Sequence, residues 1–200
     1  MKKRFFRLSA LILALFFVLC LAACGSNSGT RSETGLTRAE EERIIELARA
    51  FRIYGDFDAD KEFPITQYEY MVYSLCSPVL PESTVKGYGV ISLEEADRMF
   101  KAAVGDYTIP NLRRTAFEPN EIQVIYYIGE NYYVLRTDDS SYDYSVIRSK
   151  VLTDDSGART GVSAAVRVTG SEGSVDIVFE LTDGGEDLFR VRKCQIQNGI

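Results

Sequence analysis

Four carboxylates between residues 56 and 69, DFDADKEFPITQYE, have the spacing of a cation site. Asp58, Asp60, Glu62 and Glu69 occupy positions one, three, five and twelve of a twelve-residue stretch. Carboxylate oxygens at such positions suit calcium, because that ion takes about six to eight oxygen ligands in a flexible shell. If a metal ion binds here, these four residues would carry it, with Asp56 as a spare ligand.

The same stretch departs from the EF-hand calcium loop at two positions. Phe63 stands where the tight turn of that loop takes glycine, and Pro64 follows it. Glu69 also lies three residues after Thr66, so the pair fits a helix capping box without any metal. We therefore favour a solvated acidic connection between two helices, with a calcium site as the alternative. The sequence leads us to expect no other cofactor.

Tyrosine is the second residue type whose distribution suggests a binding role. Six of the twelve tyrosines lie between positions 126 and 144, and neighbours such as Tyr126 and Tyr127 must point to opposite faces of a strand. An exposed tyrosine row suits contact with a glycan, a peptide or a partner protein. Cross-strand ring pairing that stabilises a sheet is the competing interpretation. The candidate surface consists of Tyr126, Tyr127, Tyr132, Tyr133, Tyr142 and Tyr144.

Two cysteines, Cys76 and Cys194, lie outside the N-terminal region. An extracytoplasmic location permits a disulfide between them. However, Cys76 follows the apolar stripe of a predicted helix and Cys194 alternates with Ile196 in a predicted strand, which suits two buried thiols equally well. Both interpretations stay open at this point.

The chain contains no histidine and no tryptophan. The usual general base, the usual zinc ligand and the Ser-His and Cys-His nucleophile systems are therefore missing. We assign no catalytic residue and favour a non-catalytic domain. The alternative is an enzyme that uses carboxylates or tyrosines in a pocket between helices and sheet.

Two kinds of pattern predict the elements that position these residues. A Ser or Thr followed three residues later by Glu marks three helix starts: Thr37 with Glu40, Thr66 with Glu69, and Ser92 with Glu95. After Pro119 the apolar residues alternate with a period of two, which predicts strands. The predicted strands are 122–128, 132–137, 142–152, 162–169, 174–182 and 188–196.

This order predicts an α+β domain with three N-terminal helices packed on a five- to six-stranded antiparallel meander sheet. The order of elements and the closing strand EDLFRVRKCQI loosely resemble the nuclear-transport-factor-2-like cone. That resemblance implies a curved sheet around a pocket that the N-terminal helices close.

The N-terminal residues indicate where the protein works. Basic residues precede an apolar run from Leu8 to Ala23, which is typical of an export signal peptide and short for a membrane span. The tetrad that ends the run resembles the lipobox of bacterial lipoproteins: Leu21, Ala22, Ala23 and Cys24. The resemblance implies cleavage before Cys24 and a lipid with fatty acyl chains, such as palmitate, on its thiol. Cys20 fits poorly, because Leu19 precedes it. An ordinary cleaved signal is the alternative.

The predicted organisation is a signal peptide over 1–23, a lipidated cysteine with a flexible tether over 24–36, and a single α+β domain over 37–200. Cleavage removes four of the 23 basic residues and none of the 29 acidic ones, which leaves 19 against 29, a net charge of about −10. That balance disfavours nucleic acid as a partner. Membrane attachment would rest on the lipid.

The expectation is therefore a lipid-anchored domain on the extracytoplasmic side of a bacterial cell membrane. Through its sheet it would bind an envelope protein or a small ligand. A calcium-dependent surface module and the carboxylate or tyrosine enzyme are the alternative functions.

Overall fold

The structure, a computed structural model, describes residues 35–64, 67–107, 115–116 and 122–198. Its helices are α1 (Arg38–Tyr54), α2 (Tyr68–Cys76) and α3 (Leu93–Val104). None of these three helices is long and apolar enough to cross a membrane. The signal peptide, the lipobox residues Leu21, Ala22 and Ala23, and Cys24 lie outside the described residues.

The caps of α1 and α3 follow from the sequence. The Thr37 hydroxyl accepts from the Glu40 N–H at 3.3 Å, and the Glu40 carboxylate accepts from the Thr37 N–H at 2.7 Å, so the predicted capping box is confirmed. The Ser92 hydroxyl accepts from the Glu95 N–H at 3.2 Å, which confirms the start of α3. Gly55, with φ of 99°, ends α1 in a conformation that favours glycine.

Helix α2 begins differently from the prediction. Thr66 lies outside the described residues, and Gln67 occupies the position before the first helical residue, Tyr68. The Glu69 carboxylate accepts from the backbone N–H and the hydroxyl of Thr115. Glu69 therefore ties α2 to a distant segment of the chain.

Within the described residues, eight strands follow or separate the helices. All six strands predicted after Pro119 are present, with ends shifted by a few residues. Two short strands, one before α2 and one before α3, were not predicted. The strands are β1 (Phe57–Asp58), β2 (Tyr88–Ser92), β3 (Ile125–Ile128), β4 (Asn131–Leu135), β5 (Asp143–Thr153), β6 (Arg159–Gly170), β7 (Gly173–Asp183) and β8 (Phe189–Asn198).

The strands form two antiparallel sheets. The order in the larger sheet is β1-β8-β7-β6-β5, and in the smaller one β2-β4-β3. The α+β class and the antiparallel pairing are confirmed. The single meander and the wholly N-terminal placement of the helices are wrong, because β3 and β4 pair with β2, a strand that precedes α3. The resemblance to the nuclear-transport-factor-2-like cone stays a prediction.

The core lies between the helices and the larger sheet. Helix α1 packs across β5, β6, β7 and β8. The ring of Phe51 meets Phe179 edge-on at 5.9 Å and Phe57 at 5.7 Å. Each such ring contributes about 1.5–3 kcal/mol by leaving water. Buried side chains fill the middle of this interface.

Candidate functional site

The candidate site lies where the last turns of α1 cross one end of the larger sheet. Arg49 and Arg52 are three residues apart and share a face of the helix. The cation of Arg52, in the last turn, is favoured by the partial negative charge of the helix C-terminus. We call the following five residues the Arg52 cluster: Arg49, Arg52, Asp139, Tyr142 and Tyr144.

Asp139 joins the two arginines to the sheet. Its Oδ1 accepts from Arg52 Nη2 at 3.0 Å and from the Tyr144 hydroxyl at 2.6 Å. Its Oδ2 lies 3.2 Å from Arg49 Nε. Arg52 Nε also donates to the Tyr144 oxygen at 2.9 Å. One carboxylate therefore faces two guanidinium groups, and the cluster retains one positive charge.

Tyr142 lies over the guanidinium of Arg52, whose carbon is 3.9 Å from the centre of the ring. The other neighbour of the ring is Gly170, in the β6–β7 hairpin. A Cβ on Gly170 would lie 2.9 Å from the Tyr142 ring, closer than carbon atoms approach. The absence of a side chain at Gly170 thus lets Tyr142 stack on Arg52.

Two grooves meet at Tyr142. The hairpin groove has a volume of about 600 Å³, and the loop groove about 590 Å³. The hairpin groove has an apolar part, from Val168, Val175 and Ile196, and a polar part, from Arg52, Ser141, Tyr142, Gly170, Ser171, Glu172, Gly173 and Ser174. The loop groove is lined by Arg49, Pro78, Arg136, Thr137, Asp138, Asp139, Ser140 and Tyr142.

Electrostatics fix the protonation of Tyr144 and Arg52 near neutral pH. Burial raises the pKa of Tyr144 well above its ordinary value, and its bond to Asp139 acts in the same direction. Burial disfavours the charged form of Arg52, but the bonds to Tyr144 and Asp139 outweigh it and raise the pKa. Tyr144 is therefore a neutral donor and Arg52 a permanent cation. Such a set of groups can donate hydrogen bonds and offer a positive charge to an anion.

The predicted calcium residues do not converge. Asp60 Oδ2 lies 3.0 Å from Lys193 Nζ and 3.4 Å from Arg192 Nη2, and Glu69 binds Thr115. Asp58 accepts from the Asp60 N–H, and the side chain of Glu62 is exposed. Within the described part of the chain, no group of three or more His, Cys, Asp or Glu residues is arranged to hold a metal ion. Calcium binding stays a prediction for solution measurement.

Four of the six tyrosines lie in the smaller sheet, Tyr144 lies in β5, and Tyr142 immediately precedes β5. Tyr126 lies opposite Tyr133 with parallel rings 5.1 Å apart, and Tyr127 lies opposite Tyr132 with rings edge-on at 6.1 Å. These four form the cross-strand pairs that the competing interpretation predicted. Tyr142 and Tyr144 belong to the Arg52 cluster instead.

Cys76 and Cys194 are free, buried thiols in the structure, so they do not form the disulfide that one interpretation offered. The sulfur of Cys76 lies 3.8 Å from that of Met99, whereas Cys194 pairs with Phe57 and Phe179. Burial raises the pKa of Cys76 to about 12 and also raises that of Cys194. Both thiols are therefore poor nucleophiles.

Sequence reasoning missed Arg49, Arg52 and Asp139. Two arginines three residues apart near a helix end place two cations on one face, and the turn DDSS supplies a carboxylate before β5. Those signals are visible in the sequence. The contact between Arg52 and Asp139 is not, because only the fold brings these distant residues together.

We found no protein family, no curated protein and no solved structure that matches this chain.

Proposed function

We propose that this chain is a lipid-anchored, non-catalytic binding domain on the extracytoplasmic side of a bacterial cell membrane, and that a small ligand binds in the hairpin groove. The signal peptide and the lipobox-like tetrad support the anchor. The groove and the Arg52 cluster support the binding role. A volume of about 600 Å³ falls in the range of small-molecule sites.

The observation that carries the proposal is the rigid wall formed by Arg52 and Tyr142. Arg52 is held by Tyr144 and Asp139, and Tyr142 is held between Arg52 and Gly170. Side chains fixed before a ligand arrives lose little conformational entropy on binding.

A fragment screen tests the binding role. Amide chemical shifts of the full chain in detergent should change at Ser141, Ser171 and Val175 for a set of small polar fragments. Val175→Trp fills the groove and should abolish those changes, whereas Val85→Trp, at an exposed loop position, should leave them. Fragment binding that is scattered over the surface, or unchanged in Val175→Trp, contradicts the proposed site.

Cell fractionation tests the anchor. Cys24→Ala should move the protein out of the membrane fraction and abolish labelling by a radioactive fatty acid. Cys20→Ala, four residues earlier, is the matched control and should change neither. If Cys24→Ala stays in the membrane fraction with unchanged labelling, the anchor assignment is wrong.

A protein partner is a second candidate, supported by the smaller sheet. Val90 and Ile128 share its outer face and are 36% and 45% exposed. A partner that covers this face would be lost on Ile128→Lys and kept on Val175→Trp, as measured by cross-linking in intact cells. The reverse pattern would favour the hairpin groove.

The calcium module and the carboxylate or tyrosine enzyme stay as alternatives. Calcium binding predicts a higher melting temperature in millimolar calcium than in chelator, and its loss in Asp58→Asn. An enzyme predicts turnover of a ligand identified in the fragment screen. A ligand recovered unchanged after long incubation supports the non-catalytic role.

A further inference from the structure

We infer that the hairpin groove binds a small organic carboxylate, with the carboxylate at Arg52 and a short apolar chain against Val168, Val175 and Ile196. This inference rests on the proposed function, since it assigns a ligand class to the same groove. It goes beyond that function by fixing the sign of the ligand charge and the end of the groove at which the charge lies.

The charge balance of the Arg52 cluster favours an anion. Asp139 carries one negative charge and faces two guanidinium groups, so the two arginines share one surplus positive charge, and Arg52 is the one of the two that lines the hairpin groove. Nε of Arg52 donates to Tyr144 and Nη2 donates to Asp139, while Nη1 takes part in neither bond. Guanidinium binds carboxylate through paired N–H groups, and such charge-assisted bonds are among the stronger ones in proteins.

Glu172 is the opposing charge in the groove. It lies at the tip of the β6–β7 hairpin and is exposed, whereas the Arg52 side chain is only 19% exposed. A pair of charges near a protein surface interacts about four times more strongly than in bulk water. Arg52 therefore outweighs Glu172, whose carboxylate is better solvated.

The apolar residues of the groove favour an organic carboxylate over inorganic phosphate. Val168 is buried, and Val175 and Ile196 are partly buried beside it along the groove. Inorganic phosphate would leave this apolar surface in contact with water and would bring more than one negative charge to a single surplus cation. A monocarboxylate with a short hydrocarbon chain satisfies both halves of the groove.

Three probe molecules with the same carbon skeleton, one anionic, one neutral and one cationic, test the sign of the ligand charge. Isovalerate, isovaleramide and isoamylamine are titrated into the full chain in detergent, and binding is followed by the amide shifts of Ser141 and Val175. We expect isovalerate to bind at least about tenfold more tightly than the amide, because one charge-assisted bond is lost. N-acetylleucine and its amide, as a second pair, distinguish a peptide C-terminus from a free acid as the source.

Variants of Arg52 and Glu172 test where in the groove the ligand carboxylate binds. Arg52→Met should abolish the preference for isovalerate over isovaleramide, whereas Arg43→Met, on the same helix with the same 19% exposure, should keep it. Glu172→Gln should tighten isovalerate by a few-fold and weaken isoamylamine. Glu172 is exposed, so this variant keeps the test available even if Arg52→Met does not fold.

The outcomes separate this inference from the proposed function. Equal binding of isovalerate and isovaleramide, or a preference for isoamylamine, overturns the carboxylate assignment and leaves the binding role in place. Fragment binding that avoids the hairpin groove overturns both.

Discussion

The two ends of helix α1 are held to the same sheet by the same pair of groups, a guanidinium and a carboxylate, but in opposite arrangements. At the first end, the carboxylate of Glu40 lies on the helix and Arg159 comes from β6. At the second end, Arg49 and Arg52 lie on the helix and Asp139 comes from the loop before β5.

The first end is closed. Glu40 is 9% exposed, and its carboxylate accepts from Arg159 at 2.6 Å and from the N–H and hydroxyl of Thr37. Arg159 also pairs with Asp183 and lies over the ring of Phe189. One guanidinium there faces two carboxylates, so the surplus charge is negative, and Glu40 has its hydrogen-bond donors. Such an arrangement stabilises the fold.

The Arg52 cluster at the second end has the opposite balance, two guanidinium groups to one carboxylate, and it opens on two grooves. The comparison teaches that both ends of the helix hold ion pairs, so ion pairing alone does not distinguish them. They differ in the sign of the surplus charge and in the two grooves that meet at Tyr142.

The largest effect is expected at the closed end. Glu40→Ala removes the capping box and leaves Arg159 and Thr37 without their acceptor, so the free energy of unfolding should fall by about 2–3 kcal/mol. Urea unfolding measures this. The exposed pair of Glu42 with Arg38, on the same helix, is the control, and Glu42→Ala should lose less than about 0.5 kcal/mol. Similar losses in both variants would mean that Glu40 is no more than a surface charge.

A smaller effect is expected at the open end. Tyr144→Phe deletes one hydroxyl that both donates to Asp139 and accepts from Arg52, so the free energy of unfolding should fall by about 1–2 kcal/mol. Tyr133→Phe, in the smaller sheet, keeps the ring that stacks on Tyr126 and should change it by less than about 0.5 kcal/mol. Equal losses of unfolding free energy in the two variants would show that the hydroxyl of Tyr144 stabilises the fold no more than that of Tyr133.

Gly170→Ala tests the stack of Tyr142 on Arg52. The new methyl group meets the ring, which must move toward the open groove, and we expect a loss of about 1 kcal/mol. The shift of Tyr142 should also change the amide signals of Ser141. Ser171→Ala, in the adjoining turn, is the control and should be near neutral. An unchanged Tyr142 environment in Gly170→Ala would show that the hairpin does not position this ring.

Local signals in the sequence predicted much of the fold. The boxes at Thr37 and Ser92 and the alternation in 174–182 specify a helix start or a strand from neighbouring residues alone. Strand β2 was missed because its pattern is short and contains Gly89. The division into two sheets was missed because turns fix the ends of strands and not their partners.

The candidate site was predicted only in part. Tyr142 and Tyr144 were named, but as members of a tyrosine surface, since a run of one residue type is visible in sequence. Their charged partners, Arg52 and Asp139, lie 87 residues apart. The calcium spacing around Asp58 and Glu69 was visible too, yet the chain directs these carboxylates to Lys61 and Thr115. Spacing does not report which partner a carboxylate finds.

The smallest effect in this series is a difference in pH dependence between the two ends. Burial alone would raise the pKa of Glu40, but the bonds from Thr37 and Arg159 hold it below its ordinary 4.5. Its stabilising contribution is therefore present above that value and is lost as the pH falls through the lowered pKa. The pKa of Tyr144 is raised above its ordinary 10.0. Its contribution is therefore complete below pH 10.0 and is lost as the pH rises through the raised pKa.

Unfolding free energies of the wild type, Glu40→Gln and Tyr144→Phe, measured at about pH 3, 7 and 10.5, separate the two contributions. The difference in free energy of unfolding between the wild type and Glu40→Gln should become smaller at pH 3 and stay the same between pH 7 and pH 10.5. The reason is that the charged form of this carboxylate is stabilised in the folded chain and not in the unfolded one. The difference in free energy of unfolding between the wild type and Tyr144→Phe should become smaller only at pH 10.5. If both differences became smaller at the same extreme of pH, the two ends would share a titrating group. The contrast between a closed and an open end would then be wrong.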